Sequence, residues 1–282
     1  MNLRMFPVSS NSSRRLRRAT ASSESYGRQG NPALQSHHAV LSEFSNAYQL
    51  MGSPAPRNRY ACLSQSDQEM LIRQQAMDKA QQGDLVEAIE LFTQLIESNP
   101  NSASNFNNRG LLHFRRGQFE SSLADYNRAL GLNPRLAKVY NNRANCYAAM
   151  GNFQAAIADY ETAIDLDPTD IRARLNLGIT FRQLGLHDLA LENFDLTLQF
   201  SQFLSTTDTD GIPAALKGHL YAERGRAYHL VGDWNCAIGD YHRALAHLPI
   251  SDDSSDVSCR LRNQVKGWLN QLLNLLLPES SQ

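Results

Sequence analysis

The sequence predicts an all-α fold, a helix–turn–helix solenoid of about five repeats closed by a C-terminal capping helix. Three observations predict it. Gly83, Gly117, Gly151 and Gly185 stand 34 residues apart, and Pro100, Pro134 and Pro168 keep the same offset. Five residues after each glycine comes a small residue (Ala88, Ser122, Ala156, Ala190), and four further on an aromatic one (Phe92, Tyr126, Tyr160, Phe194). Before each glycine the apolar residues recur three and four apart, as in Tyr140, Ala144 and Tyr147, which is one face of a helix. A 34-residue period of this kind marks stacked helix pairs, none of which buries its own apolar face.

Residues 1–65 are expected to form a basic leader. Its first 32 residues are rich in Ser, Arg and Asn without periodicity and read as disordered. Residues 33–51 fit one weak amphipathic helix, and "GSPAPRNRY" is a proline-containing link. Residues 1–60 hold eight arginines and two acids, a net +6, which leaves 19 basic against 26 acidic residues, −7, for the remainder. "SSRRLRRAT" is no twin-arginine export signal, because no apolar stretch follows it. It fits an organelle transit peptide, being Arg- and Ser-rich with Glu24 the only acid in the first 40 residues. A basic arm for an anionic membrane or RNA, a solvated tail, and a start codon misassigned upstream of Met51 stay open beside it.

The repeats fill residues 66–251, with copies near 69–102, 103–136, 137–170, 171–204 and 213–251. In the third copy the first helix runs up to Gly151, which ends it in the left-handed region, and the second spans about 154–165 until Pro168 stops the pair. Ala144 and Ala156 let the two helices approach, and Tyr160 fills the gap to the next copy, worth about 1.5–3 kcal/mol of burial. The fourth copy has Gln202 in place of the closing proline, so its second helix is expected to run on. An insertion at 201–214 follows, and Pro213 opens a long first helix for the copy built on Gly232, Ala237, Tyr241 and Pro249. Residues 252–282 hold a last helix with a stripe of Leu261, Val265, Trp268, Leu269, Leu272 and Leu276. It reads as a cover for the open end, while Leu273, Leu275 and Leu277 leave a second apolar side that would suit dimerisation.

The frame of small residue, Gly, small residue, aromatic, Ala and Pro resembles the tetratricopeptide-repeat (TPR) family over about two thirds of the chain. The resemblance implies a right-handed solenoid whose first helices line a concave groove for a partner peptide. Asn108, Asn142 and Asn176 share one position in copies two to four, so stacking would set them in a row along that groove. An amide both donates and accepts, so such a row pairs with an extended backbone of any sequence. It is similar to the asparagine ladder of the TPR superhelix of O-GlcNAc transferase. Four residues earlier stand Ser104, Lys138 and Arg172, with His219 before Glu223 in copy five; Asn141 and Asn145 flank the ladder. The set resembles in part the carboxylate clamp of TPR co-chaperones, but Asn141 stands where the clamp has its first lysine and Glu223 where it has its arginine. The Asn-Asn-Arg triplet itself is read as surplus to packing, with solvation of a helix face as the alternative for its amides.

Chemistry is sparse. Nucleophile elbow, phosphate loop, dinucleotide fingerprint and His-Glu-x-x-His are all absent, so no catalytic residue, cofactor or metal is expected. The His37–His38 pair sits in the leader, and "DTDG" at 208–211 puts Ile212 where a calcium loop needs an oxygen. Cys62, Cys146, Cys236 and Cys259 are far apart and read as free thiols. No apolar run spans a membrane. The expected function is a non-catalytic protein–protein scaffold, an adaptor or assembly factor holding an extended, acidic or C-terminal segment. The expected address is the cytoplasm of a bacterium, or a plastid or mitochondrion if the leader is a transit peptide. An RNA-associated repeat protein is the alternative, disfavoured by the acidic body, and a regulatory subunit of an enzyme is the other.

Overall fold

The computed structural model describes residues 64–206, 213–250 and 256–276. The expected leader with its helix at 33–51, the His37–His38 pair and the "DTDG" stretch lie outside the described residues. Those described form eleven α-helices and no strand, within a compact unit that begins at Leu63. Copy one is α1 (Gln65–Gln82) and α2 (Leu85–Ser98), and copy two is α3 (Ala103–Arg115) and α4 (Phe119–Leu132). Copy three is α5 (Ala137–Ala149) and α6 (Phe153–Leu166); copy four is α7 (Ile171–Gln183) and α8 (His187–Thr206). Copy five is α9 (Ala214–Val231) and α10 (Trp234–His247), and α11 (Val257–Leu276) follows.

The turn chemistry is as the period requires. All five turn glycines have positive φ, between 74° at Gly117 and 88° at Gly83. Where the next residue is Asp84, Asn152 or Asp233, its side chain accepts the N–H of Glu87, Ala155 or Cys236 and so caps the second helix. α8 runs 20 residues against 14 for the other second helices, as the missing proline implies, and so takes up the front of the insertion. Pro213 is the N-cap of the 18-residue α9.

Each aromatic of the repeat frame is buried, and the first four pack forward onto the following copy. Phe92 meets Leu112, Tyr126 meets Val139 and Cys146, Tyr160 meets Leu177 and Phe181, and Phe194 meets Leu220 and Ala227. Within its own copy the ring lies against a small residue of the first helix. At Gly178 an added Cβ would sit 2.5 Å from Phe194 Cε1, so copy four has no room for a side chain there. Tyr241 has no sixth copy to meet. Val265, Leu269 and Leu272 of α11 close over it, and Arg262 donates to the carbonyls of Leu245 and Leu248, which would otherwise be the bare end of α10. Leu276, expected on that stripe, is exposed; Leu273 packs partly onto the core and Leu275 is exposed. Leu277 lies outside the described residues.

The sequence reads the Asn-Asn-Arg triplet as surplus to packing, and for its arginine the structure corrects that. Arg109, Arg143 and Arg224 each hold the carboxylate sixteen residues on (Asp125, Asp159, Asp240) through Nε and Nη2, at 2.6–2.9 Å. The third nitrogen, Nη1, reaches back to the preceding copy's second helix, at Thr93, Asn127 and Asp195. One guanidinium thus ties three helices of two copies. Copy four has Leu177 and Asn193 at the two positions, losing both partners together.

Replacing Tyr160 by Ala is expected to cost about 3–5 kcal/mol, since it opens a cavity between two copies; chemical denaturation of both proteins measures it. Arg143→Ala leaves Asp159 buried without its counter-charge and is expected to cost about 3–5 kcal/mol. The pair Arg143→Leu with Asp159→Asn, which copies the fourth repeat, should lose clearly less than the two single changes added, as a double-mutant cycle would show. Deleting the chain from Val257 onward exposes Tyr241 and Ala244, and aggregation or a lower, broader melting transition is the expected result.

Candidate functional site

The first helices of copies two to five lie side by side, α3 against α5, α5 against α7 and α7 against α9. Every residue of the expected site lies on α3, α5 or α7. Asn108, Asn142 and Asn176 do occupy equivalent places on the face these helices share, all half-buried. They are not three independent rungs. Asn142 Nδ2 donates to Asn107 Oδ1 at 3.0 Å, and Asn107 in turn donates to Asn108 at 3.3 Å. Asn176 Nδ2 donates to Asn141 at 3.2 Å and to Asn145 at 3.1 Å, and Asn145 Oδ1 also accepts the Tyr160 hydroxyl at 2.6 Å. The register explains this: the residue before the ladder position in one copy faces the ladder position of the next. The amides therefore join copies, and only their remaining donors and acceptors can meet a ligand.

Lys138 and Arg172 are exposed at the N-terminal ends of α5 and α7 and form no ion pair among the described residues. The fifth copy departs from this pattern. Glu223, in the ladder position, is buried and paired with Arg182 of copy four at 2.8 Å, with His219 at 3.6 Å. Burial would push its carboxyl up, but the His219 and Arg182 interactions outweigh that and hold it below the usual range. It presents no free negative charge to the face.

Helix by helix, the charges separate in a way the totals conceal. α3, α5, α7 and α9 together carry ten Lys and Arg and a single acid, Glu223. α4, α6, α8 and α10 carry nine acids and two arginines. Nine of the body's 26 acids thus lie on these four second helices, and α1, the first helix of copy one, differs from the other first helices in carrying three acids against two cations. Arg226 of α9 lies over the Trp268 ring of α11 at 5.1 Å, while half-buried Arg174 turns to its own copy's second helix, over the Phe200 ring at 5.6 Å. Burial lowers the Arg174 guanidinium from its ordinary value. Sequence reasoning passed over both, although counting charges per helix in the aligned copies would have found them.

Between α5 and α7 this face opens into a cleft of about 250 Å³. Asn145, Ala148, Ala149 and Tyr160 form the copy-three side, and Asn176, Ile179, Thr180 and Gln183 the copy-four side, with Phe114 of copy two contributing a ring. Two of the expected site residues, Asn145 and Asn176, line it; Asn108, Asn141, Asn142, Lys138 and Arg172 do not. Among the described residues no three His, Cys, Asp or Glu side chains come together to hold a metal, and no helix is long and apolar enough to cross a membrane.

Comparison with solved structures gives the same architecture. The TPR protein TTC0263 of Thermus thermophilus matches 72% of this chain and 99% of its own at 18% identity, with a TM-score of 0.56. A crystal structure of MamA matches 61% and 93% at 22% identity, TM-score 0.50. A MamA RS-1 double mutant matches 64% and 94% at 14% identity, TM-score 0.52. No curated protein matches the sequence. Family models of the tetratricopeptide repeat match residues 73–102 and 137–170, and a TPR repeat model matches 110–151. With the glycine turns, the forward-packing aromatics and the helix pairs of copies one to five, these place the chain among the tetratricopeptide-repeat proteins.

Proposed function

We propose that the chain is a non-catalytic scaffold, an adaptor or assembly factor, that holds an extended acidic segment of a partner protein along its row of first helices. The observation that carries this reading is the charge of that row in copies two to five: six cations lie outside the pairs that Arg109, Arg143 and Arg224 make with second-helix aspartates and Arg182 makes with Glu223, the row's one acid. Opposite charge on the partner speeds encounter and fixes register, and the amide atoms left over from the inter-copy bonds suit a peptide main chain. Protein interaction is the general role of tetratricopeptide repeats, which supports the class of partner. The basic row would also attract RNA, but Tyr140 and Tyr147 are half-buried beneath the Arg143 guanidinium, at 5.4 and 6.0 Å, and offer no free ring for base stacking. The Arg- and Ser-rich leader supports an organellar address.

A partner captured by crosslinking and titrated against the full chain tests the reading. Lys138→Glu with Arg172→Glu is expected to weaken binding on the order of tenfold, more at low salt, without loss of stability. Asn108, Asn142 and Asn176 changed together to Ala should lose on the order of 100-fold, at about 0.5–1.5 kcal/mol per hydrogen bond. That triple variant should also melt earlier, since two of the amides bridge copies. Unchanged affinity in both variants would overturn the assignment of this face.

A further inference from the structure

We propose that the cleft between copies three and four is a pocket for one bulky apolar side chain, aromatic by preference, of the segment bound along the first helices. This rests on the preceding reading and adds a specificity element to it. The cleft has a cause in the sequence of copy three. At the joint of copies one and two, Arg115 stands where copy four has Gln183 and donates to the carbonyl of Ala80 at 3.1 Å. At the joint of copies two and three, Phe114 stands where copy three has Ala148. At the joint of copies four and five, Arg182 occupies that position and is tied to Glu223. Only copy three places alanine at both positions, 148 and 149, and there the volume is left open.

Size and lining select the occupant. A cavity of about 150 Å³ already takes a benzene ring, so ≈ 250 Å³ accommodates a Phe, Tyr or Trp side chain. Phe114, Ile179, Ala148 and Ala149 give apolar and ring surface, Tyr160 is all but buried, Asn145, Asn176, Thr180 and Gln183 add polar groups, and no charged residue lines the space. The bonds from Tyr160 and Asn176 onto Asn145 Oδ1 fix both amides in place. Asn145 Nδ2 and Asn176 Oδ1 hold no bond among the described residues, which leaves a donor and an acceptor for the main chain beside the inserted side chain. The same joint lacks the arginine tie, through Leu177 and Asn193, and is bridged instead by the Asn176 bonds to Asn141 and Asn145.

The probe is a displayed library of random short peptides selected against the full chain, with enriched sequences synthesised and titrated. Enriched peptides are expected to share one bulky apolar residue among acidic ones. Ala149→Phe and Gln183→Phe fill the cleft from opposite walls at exposed positions, and each is expected to lower affinity by a factor of about 10 to 100. Replacing the shared residue of the peptide by Ala should have the same effect on wild type and little on the filled variants. Circular dichroism checks that both variants keep their helicity. Peptides without a common bulky residue, or equal affinity for wild type and filled variants, overturn the pocket. If Lys138→Glu and Arg172→Glu still weaken those peptides, the charged row stands without it. Peptides weakened by filling but indifferent to the charge reversals leave the pocket standing and remove the acidic-segment reading.

Discussion

Everything in this molecule follows from one constraint: no copy can bury its own aromatic ring. The first helix of a copy gives Tyr160 or Phe194 only a small residue to lie against, and the far side of the ring stays bare until the next copy arrives. Five cores in series result, each shared by two neighbours, in place of one central core. Such a chain has a direction and needs an end. α11 is that end, an amphipathic helix that does for Tyr241 what a first helix does for the other rings, while its Arg262 satisfies the last carbonyls of α10. Stability is then a sum over copies and joints, and a joint can be weakened or opened without unfolding its neighbours.

Polar groups give those joints their individual character. Where an arginine follows the paired asparagines, its flat guanidinium meets one carboxylate squarely and keeps a nitrogen for the copy behind. Where leucine replaces it, the carboxylate has become asparagine, and Glu161 of the preceding copy is left facing no arginine from position 177. Burial, and then the nearby Asp165, raise the Glu161 carboxyl. The joint that lost its tie is also the joint with the cleft. Packing surplus and ionic surplus have both been removed from one place, on the face where the amides converge.

Charge separation follows from the same architecture. A first helix touches its neighbours on both sides and shares its face with other first helices, so an exposed acid there would sit among several residues of the row. A second helix faces solvent along its outer side. The first helices of copies two to five hold ten cations against one acid, and the second helices nine acids against two arginines. The buried Arg109–Asp125, Arg143–Asp159 and Arg224–Asp240 pairs join the two sets, and six cations of the first helices lie outside these pairs and the Arg182–Glu223 pair, in a chain whose formal net charge is −1. Averages over the sequence erase that, so the acidic total of the body carries no weight against an anionic partner on the inner row.

Periodicity alone determined the number of copies, the glycine turns, the buried aromatics, the overrun of α8 and the end helix, because each is a local or nearest-neighbour demand repeated at a fixed spacing. It also placed Asn108, Asn142 and Asn176 on one face, since a period of 34 carries a residue to the same side of the next pair. Only the tertiary structure decided what those amides do. Asn142 reaches Asn107 and Asn176 reaches Asn141 and Asn145, bonds that depend on the offset between adjacent helices, which no spacing within one helix encodes. The role of the arginine between them was also hidden, although Arg109 with Asp125, Arg143 with Asp159 and Arg224 with Asp240 recur at sixteen residues in plain view. The cleft was beyond reach altogether: two alanines side by side read as good helix formers, and the space they leave exists only once copy four is set beside them.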